Sequence, residues 1–221
     1  MADEPTRNDS VVIALVGAES TGKTTLARDL ARQLAAPGRR VTLVEEYLRE
    51  FCLREGRTPR HDEQAGIALE QSRRILEAAR THDVVVADTT ALMVAVYSQL
   101  LFDDDSLLAD ALSAQAHCHA TLLTALDLPW VADGFIRDGA HVRAPVDALL
   151  RKALHDRAVG YAVVAGSGPQ RLINAERAVA AALRPAPRAG AAARWRSVCA
   201  ECGDPDCERH LFTAGRDRRA S

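Results

Sequence analysis

The chain has 221 residues, of which 48% are hydrophobic and only 4% aromatic, and its formal net charge at pH 7 is −2. This length suits one α/β domain with a modest extension, and aliphatic side chains must fill its core. The near-neutral charge argues against a nucleic-acid partner. No apolar run is long enough to span a bilayer, and no secretory signal opens the sequence, so we expect a cytoplasmic protein without a membrane partner.

The first elements of the chain include its most informative stretch. Residues 1–10 are polar and predicted to be disordered, and the apolar run Val11–Val16 predicts a buried strand. Residues 17–25 then read Gly-Ala-Glu-Ser-Thr-Gly-Lys-Thr-Thr, and a helix is predicted directly after them. A strand, a loop with this spacing of glycine, lysine and threonine, and a helix together form a phosphate-binding loop.

The residue types in this loop explain how it would bind a nucleoside triphosphate. Gly17 and Gly22 let the backbone approach phosphate oxygens, and N–H groups at the start of the helix attract the anion. Lys23 would reach the β- and γ-phosphates, and the Thr24 hydroxyl would be a ligand of Mg²⁺. Only one other lysine, Lys152, occurs in this arginine-rich chain, which indicates that a compact ammonium group is needed at position 23. We predict ATP binding by Gly17, Glu19, Ser20, Thr21, Gly22, Lys23, Thr24 and Thr25.

Strands and helices alternate along the rest of the domain. We predict strands at 41–44, 84–87, 121–126 and 161–165, and helices at 62–80, 91–116, 145–157 and 169–183. The acidic residues 103–105 interrupt the second of these helices. In the first of them, the helical spacing falls on Ala65, Leu69, Ser72, Ile75 or Leu76, and Ala79. The alternation predicts a parallel sheet with right-handed crossovers. The fold class is therefore α/β, a three-layer P-loop nucleoside triphosphate hydrolase fold of the nucleoside kinase type, over residues 11–184.

Three polar clusters are predicted at the carboxyl ends of strands, where parallel sheets bind their ligands. The clusters begin at Glu45, Asp88 and Asp127. Asp88 would orient Mg²⁺ or activate an acceptor hydroxyl, and its alternative role is to cap the helix that begins near Leu92. Glu46 is a further candidate for the site, and its alternative role is a surface ion pair with Arg49.

Two aromatic and two basic residues near these clusters are also candidates for ligand contacts. The rings of Tyr47 and Trp130 would stack on a flat heterocycle or, alternatively, pack against a helix. Residues 127–143 are predicted to be a loop that contains Arg137 and Arg143. These arginines would neutralise charge on the transferring phosphoryl group, or else lie solvated on the surface.

Several of these segments resemble a known family. They are residues 46–51 (Glu-Tyr-Leu-Arg-Glu-Phe), 88–90 (Asp-Thr-Thr) and 130–137 (Trp-Val-Ala-Asp-Gly-Phe-Ile-Arg), together with the glutamate and serine of the phosphate-binding loop. The pattern is similar to the ribosylnicotinamide kinase domain of the bacterial NAD-biosynthesis protein NadR. The likeness covers roughly residues 11–183.

The resemblance implies a P-loop kinase that phosphorylates the ribose 5′-hydroxyl of nicotinamide riboside. It implies that Lys23 and Thr24 hold the ATP phosphates and Mg²⁺, and that Asp88 lies near the acceptor hydroxyl or the metal. Arg137 would belong to a lid over the site. The residues implied for the nucleoside pocket are Glu46, Tyr47, Arg49, Trp130 and Asp133. The His-x-Gly-His signature of the nucleotidyltransferase domain in bifunctional family members does not occur here, so we expect no dinucleotide synthesis by this chain alone.

The last residues of the chain differ in composition from the domain. Residues 185–194 are predicted to be a linker, and residues 195–221 form a tail rich in cysteine and arginine. Four residues of this tail have the spacing of a structural Cys₃His zinc site, and they are Cys199, Cys202, Cys207 and His210. The alternative is a disordered tail with incidental thiols.

Two other functions remain open from the sequence. The first is a kinase of the same fold with a different small acceptor. The second is an ATP-binding switch or slow ATPase whose Cys/His tail docks a partner. The sequence also leaves the oligomeric state open, including a homo-oligomer.

Overall fold

Five parallel strands form the centre of the domain, because helices cover most of their aliphatic residues on the two faces of the sheet. The structure is a computed structural model that describes residues 10–131 and 139–183, all within the unit Met1–Arg184. The strands are β1 Val11–Val16, β2 Val41–Val44, β3 Val84–Asp88, β4 Ala120–Thr124 and β5 Ala162–Val164. Their order across the sheet is β2-β3-β1-β4-β5, and every neighbouring pair is parallel.

Helices connect successive strands and cover the sheet. Within the described ranges they are α1 Lys23–Leu34, α2 Tyr47–Glu55, α3 Gln64–Thr81, α4 Ala91–Phe102, α5 Leu108–Ala116, α6 Arg143–Asp156 and α7 Gly168–Ala182. A 3₁₀ turn precedes α3 at His61–Glu63, and another precedes α6 at Ala140–Val142. None of the helices in the part of the chain described here is long and apolar enough to cross a membrane.

Alternating side chains of the strands pack against two helical layers. Ile13, Leu15 and Leu122 lie in a buried cluster with α1 and α7. On the opposite face, Leu123 packs with α4 and α6, and Val85 packs with α3. The three-layer α/β arrangement predicted from the sequence is therefore confirmed.

Helix α4 lies at the centre of its layer. Its first turns are apolar on every side, so neighbouring helices can cover them completely. Residues 91–96 are all buried, and the helix packs against α3, α5 and α6. It ends at Asp103, which adopts a left-handed backbone conformation with φ 55°. The acidic residues 103–105 thus interrupt the helical stretch, as the sequence predicted.

The structure differs from the sequence prediction around α2 and α3. Helix α2 was not predicted, since the residues after β2 had been interpreted only as a polar cluster. The apolar spacing correctly predicted α3, but Leu69 and Leu76 on this helix are 72% and 61% exposed. Ile67, Ala68 and Gln71 are buried instead, because α2 and α4 pack against that side of the helix.

The predictions made for the two ends of the chain fall largely outside the described residues. This applies to the predicted disorder of 1–9, the linker at 185–194 and the zinc-binding tail at 195–221. The predicted disorder covered residues 1–10, and it is wrong at Ser10, which is described and lies buried directly before β1.

Two leucine-to-alanine substitutions, one buried and one exposed, test which side chains form the core. Leu150 on α6 is fully buried in the cluster around α4, so we expect Leu150→Ala to lower the free energy of unfolding by about 2–5 kcal/mol. Leu69→Ala removes the same atoms from an exposed position and should change it by less than about 0.5 kcal/mol. Chemical denaturation of both variants measures these values, and equal losses would contradict the described packing.

Candidate active site

Two glycines set the shape of the loop between β1 and α1. Gly17 has φ +147°, and a Cβ atom there would lie 2.2 Å from Thr124 Oγ1 on β4. Gly22 is the N-cap of α1 and has φ 76°, in the left-handed region. Position 17 therefore requires glycine because of the close approach to β4, and position 22 because of its backbone conformation.

Hydrogen bonds fix this loop to the elements around it. Thr21 Oγ1 donates to the carbonyl oxygen of Ala18 at 2.7 Å and lies 2.7 Å from Thr124 Oγ1. Both threonines are fully buried. On the other side, the Arg171 guanidinium on α7 donates to the Thr21 carbonyl oxygen and to the Asp127 carboxylate, each at 2.8 Å. The loop is therefore held at both sides by buried polar groups.

The first turn of α1 brings a cation and a hydroxyl to the loop. Lys23 Nζ donates to the carbonyl oxygen of Ala18 at 2.8 Å, so its ammonium group lies beside the loop backbone. The Thr24 hydroxyl donates to the carboxylate of Asp88 at the end of β3. The positive end of the α1 dipole lies at the same place. This combination of groups binds phosphate oxygens in many proteins.

Asp88 is a buried carboxylate that is only 2% exposed. Burial raises its pKa, and the hydrogen bond from Thr24 and the positive charges of Lys23, Arg49 and Arg28 offset part of that effect. The N-cap of α4 is Thr90, so Asp88 does not have the capping position considered as its alternative. One of its oxygens, Oδ1, is buried without a hydrogen-bond partner among the described residues.

The chemistry at Asp88 and Thr24 fits a magnesium ion. A buried carboxylate oxygen that lacks a partner is costly, and a bound cation removes that cost. Carboxylate and hydroxyl oxygens are the hard ligands that Mg²⁺ prefers, and it usually takes one or two of them while phosphates and waters fill the other positions. The described part of the chain contains no cluster of three or more His, Cys, Asp or Glu residues that could hold a metal, and Mg²⁺ bound with phosphates does not need one.

A cleft with a volume of about 560 Å³ opens beside the loop. Its phosphate-loop side consists of the predicted ATP-binding residues Glu19, Ser20, Thr21, Gly22, Lys23, Thr24 and Thr25. Its other side is mainly apolar and consists of Leu48, Cys52, Pro59, Met93, Tyr97, Leu101 and Phe102. Polar groups of Arg28, Glu46, Arg49, Thr58 and Gln64 also line it.

Glu46 and Arg49 both line the cleft and also pair with each other. Arg49 Nε lies 3.7 Å from Glu46 Oε2, and the two side chains are 34% and 21% exposed. The ion pair weighed as the alternative role of Glu46 is therefore present, and it lies within the cleft.

The two aromatic residues that we expected to stack on a ligand do not line the cleft. The Tyr47 ring lies 4.4 Å from the guanidinium carbon of Arg74 and packs against the core. Trp130 donates its indole N–H to Glu19 Oε1 at 3.0 Å. Within residues 10–131 and 139–183, the aromatic rings that line the cleft are Tyr97 and Phe102 on α4.

The glutamate and serine of the phosphate-binding loop bind three residues within the connection between β4 and α6. Glu19 Oε1 accepts the Trp130 indole N–H and, at 3.0 Å, the backbone N–H of Gly139. Ser20 Oγ accepts the backbone N–H of Val131 at 2.7 Å. Arg143 donates to the Leu128 carbonyl oxygen at 2.8 Å, so this guanidinium stabilises the same connection. Among the predicted site residues, Asp133, Arg137, Cys199, Cys202, Cys207 and His210 lie outside the described ranges.

Sequence reasoning missed the apolar half of the cleft. Tyr97 and Phe102 belong to a helix that is apolar on every side, so periodicity gave no sign that this end faces a cleft. A weak signal was present, since α4 carries two of the few aromatic residues in the chain. Gln64 was missed because its cleft-facing position depends on how α3 is rotated.

Comparison with known proteins identifies the family and the fold. The AAA domain family matches residues 12–171, so the chain belongs to this family of AAA domains. No curated protein matches the sequence.

Two solved structures of the NadR protein are similar to the chain. In the complex with NR, the identity is 22% and the TM-score 0.65, over 81% of this chain and 53% of that chain. In the complex with NAD and AMP-PNP, the identity is 20% and the TM-score 0.60, over 80% of this chain and 51% of that chain. The chain thus spans about half the length of the NadR chains. The resemblance predicted from the sequence is confirmed at the level of the fold.

Substitution of Asp88 tests the electrostatic description of the site. Because the pKa of Asp88 is raised in the folded state, its charge destabilises the fold at pH values above that pKa. We expect Asp88→Asn to raise the Tm at neutral pH without nucleotide. The gain should shrink as the pH falls through the raised pKa and vanish below about pH 4, where the carboxyl is protonated in both states.

The same thermal melts across pH provide the control. Asp105→Asn changes an exposed carboxylate and should alter the free energy of unfolding by less than about 0.5 kcal/mol. A loss of stability in Asp88→Asn at neutral pH would contradict the cost assigned to its burial.

Proposed function

We propose that the protein transfers the γ-phosphoryl group of MgATP to a hydroxyl group of a small nucleoside, with nicotinamide riboside as the first candidate acceptor. The observation that carries the proposal is the continuity of one cleft from the phosphate-binding loop to an apolar wall on α4. An apolar compartment beside a phosphate site suits a planar heterocycle. The likeness to a NadR structure that contains NR supports the choice of acceptor.

For the nucleotide, the proposal is that the loop and α1 position the phosphates of ATP and neutralise their negative charge. The loop N–H groups and Lys23 bind the β- and γ-phosphates and neutralise charge that develops during transfer. Thr24 and Asp88 would hold Mg²⁺, which supplies further positive charge on the phosphate oxygens when it is bound. Phosphoryl transfer depends mainly on such effects, and it needs no covalent intermediate with the protein.

For the acceptor, the proposal gives the two carboxylates different roles. Glu46 activates the acceptor hydroxyl, and Asp88 would bind Mg²⁺. Glu46 lines the cleft, whereas Asp88 is buried and hydrogen-bonded to Thr24. In the transfer, the acceptor oxygen forms a bond to the γ-phosphorus and the bond to the bridging oxygen of ADP breaks. Glu46 accepts the proton that leaves the acceptor hydroxyl.

The apolar compartment of the cleft would hold the base of the nucleoside. Tyr97 and Phe102 provide flat surfaces, and Leu48 and Met93 provide aliphatic ones, which suits a planar ring. Arg49 lines the cleft and is proposed to lie near the nucleoside. The resemblance to NadR supports Asp133 near the nucleoside and Arg137 in a lid, whereas Tyr47 and Trp130 do not line the cleft and are assigned no contact with the nucleoside.

Acceptor-dependent ADP release is the experiment that tests this function. With MgATP and a panel of nucleosides, we expect nicotinamide riboside to accelerate ADP release and to become phosphorylated. Lys23→Ala should lower kcat/KM by about 10²–10³-fold, because the negative charge on the transferring phosphoryl group loses the ammonium group that neutralises it. Glu46→Gln should lower kcat by about 10²-fold, because the proton acceptor is lost.

The second lysine of the chain provides a matched control for Lys23→Ala. Lys152, the only other lysine, is exposed on α6 and pairs with Asp156, so Lys152→Ala should keep kcat/KM within about twofold. ATP hydrolysis that no nucleoside accelerates would overturn the kinase proposal and favour an ATP-binding switch. Turnover with a different small acceptor would keep the reaction and replace the substrate.

We also propose that the tail binds one structural zinc ion through Cys199, Cys202, Cys207 and His210. The support is the spacing of these residues in the sequence, where two ligand pairs are separated by four residues. Two pairs complete a tetrahedral set of four ligands, so no position remains open for catalysis.

Metal analysis of the full chain tests the zinc proposal. The purified protein should contain about one zinc ion per chain, and Cys202→Ser should lose most of it because one thiolate ligand is removed. Cys52→Ser changes a buried cysteine on α2 and should retain the metal. A wild-type protein without zinc after purification in zinc-containing buffer would exclude the site.

A further inference from the structure

One buried amide joins the two backbone segments that carry Glu46 and Asp88. Gln71 on α3 is only 1% exposed. Its Oε1 accepts the backbone N–H of Tyr47 at 2.8 Å, and its Nε2 donates to the carbonyl oxygens of Glu45 and Thr89, each at 3.4 Å. The amide carbonyl and both amide hydrogens are therefore used, each toward the backbone.

These three contacts lie directly beside the two carboxylates. Glu46 stands between Glu45 and Tyr47, so Gln71 binds the residue on each side of it. Asp88 directly precedes Thr89, whose carbonyl oxygen is the third partner. A single side chain from a third element thus sets the position of the β2–α2 junction relative to the β3–α4 junction.

The backbone at one of these junctions needs such support. Thr89 has φ 75°, an unfavourable value for a β-branched residue. Strained residues keep their conformation only when the surrounding structure holds them. The N–H of Thr89 donates to the Leu15 carbonyl oxygen at 3.1 Å, and Gln71 binds its carbonyl oxygen.

We propose that Gln71 is a positioning residue that holds the Glu46 and Asp88 carboxylates at the distance that phosphoryl transfer needs. The proposal rests on the proposed function for the roles of those two carboxylates. Gln71 touches neither nucleotide nor acceptor, since it does not line the cleft. It acts through the backbone on both sides of Glu46 and after Asp88.

The side chain at this position must be an amide. A carboxylate would keep the bond from the Tyr47 N–H but lose both donated bonds, and it would add a third negative charge near Glu46 and Asp88. A methionine has nearly the same length but makes no strong hydrogen bond, so three backbone groups lose this partner, and the bond to Thr89 is the fully buried one.

Gln71→Met and Gln115→Met form a matched pair of variants for the test. Gln115 on α5 is also 1% exposed, and its amide bonds the hydroxyls of Thr90 and Thr121 at 2.6 and 2.9 Å. Both substitutions remove a buried amide that makes hydrogen bonds through its oxygen and its nitrogen, so both should lower the Tm by a few degrees. Only Gln71→Met should lower kcat with saturating MgATP and acceptor, by about 10²-fold, as small misplacements of reacting groups do. The Kd for a magnesium-bound, non-hydrolysable ATP analogue should stay within about threefold in both variants.

A second measurement does not depend on turnover. Backbone hydrogen exchange at the Tyr47 N–H, followed by NMR, should become faster in Gln71→Met and stay unchanged in Gln115→Met. Unchanged exchange at Tyr47, or a kcat that falls equally in both variants, would overturn the role of Gln71. If the wild-type protein phosphorylates no acceptor while Tyr47 exchange responds as expected, the proposed function fails and the structural role of Gln71 stands.

Discussion

The close contact between Gly17 and Thr124 fixes the phosphate-binding loop to the sheet, and the geometry of the whole site depends on it. Any side chain at position 17 would collide with a hydroxyl on the neighbouring strand. That same hydroxyl is paired with Thr21 in the buried interior, so moving the loop away from β4 would break a buried hydrogen bond. Lys23 and Thr24 begin α1 directly after the loop, and their positions follow from where it is held.

The site combines a costly buried charge with groups that offset only part of the cost. Asp88 is surrounded by packed residues at the end of a fully buried strand, and burial raises its pKa despite the nearby cations. A fold keeps such a group when something else compensates for it in the working state of the protein. Glu46 differs because it is partly exposed and paired with Arg49. Two carboxylates in such different environments are suited to different tasks.

The phosphate-binding loop could be predicted from the sequence because every requirement for it is local. A strand, two glycines, a lysine and a helix occur within a short stretch, so the motif can be recognised without knowledge of the distant residues that fix the loop. The buried face of α3 and the role of Gln71 could not be predicted in this way. The three partners of Gln71 lie 18 to 26 residues away along the chain, and only the completed packing brings them together. The lining of the cleft by Tyr97 and Phe102 was missed for the same reason, since it depends on which side of an apolar helix is left uncovered.

The position of Glu19 within the phosphate-binding loop has a consequence for motion. One of its oxygens accepts N–H groups from both Trp130 and Gly139, which lie within the connection between β4 and α6. The loop and that connection are therefore mechanically joined at two points through a single atom. A shift of the loop on ligand binding would therefore act on both contacts at the same time.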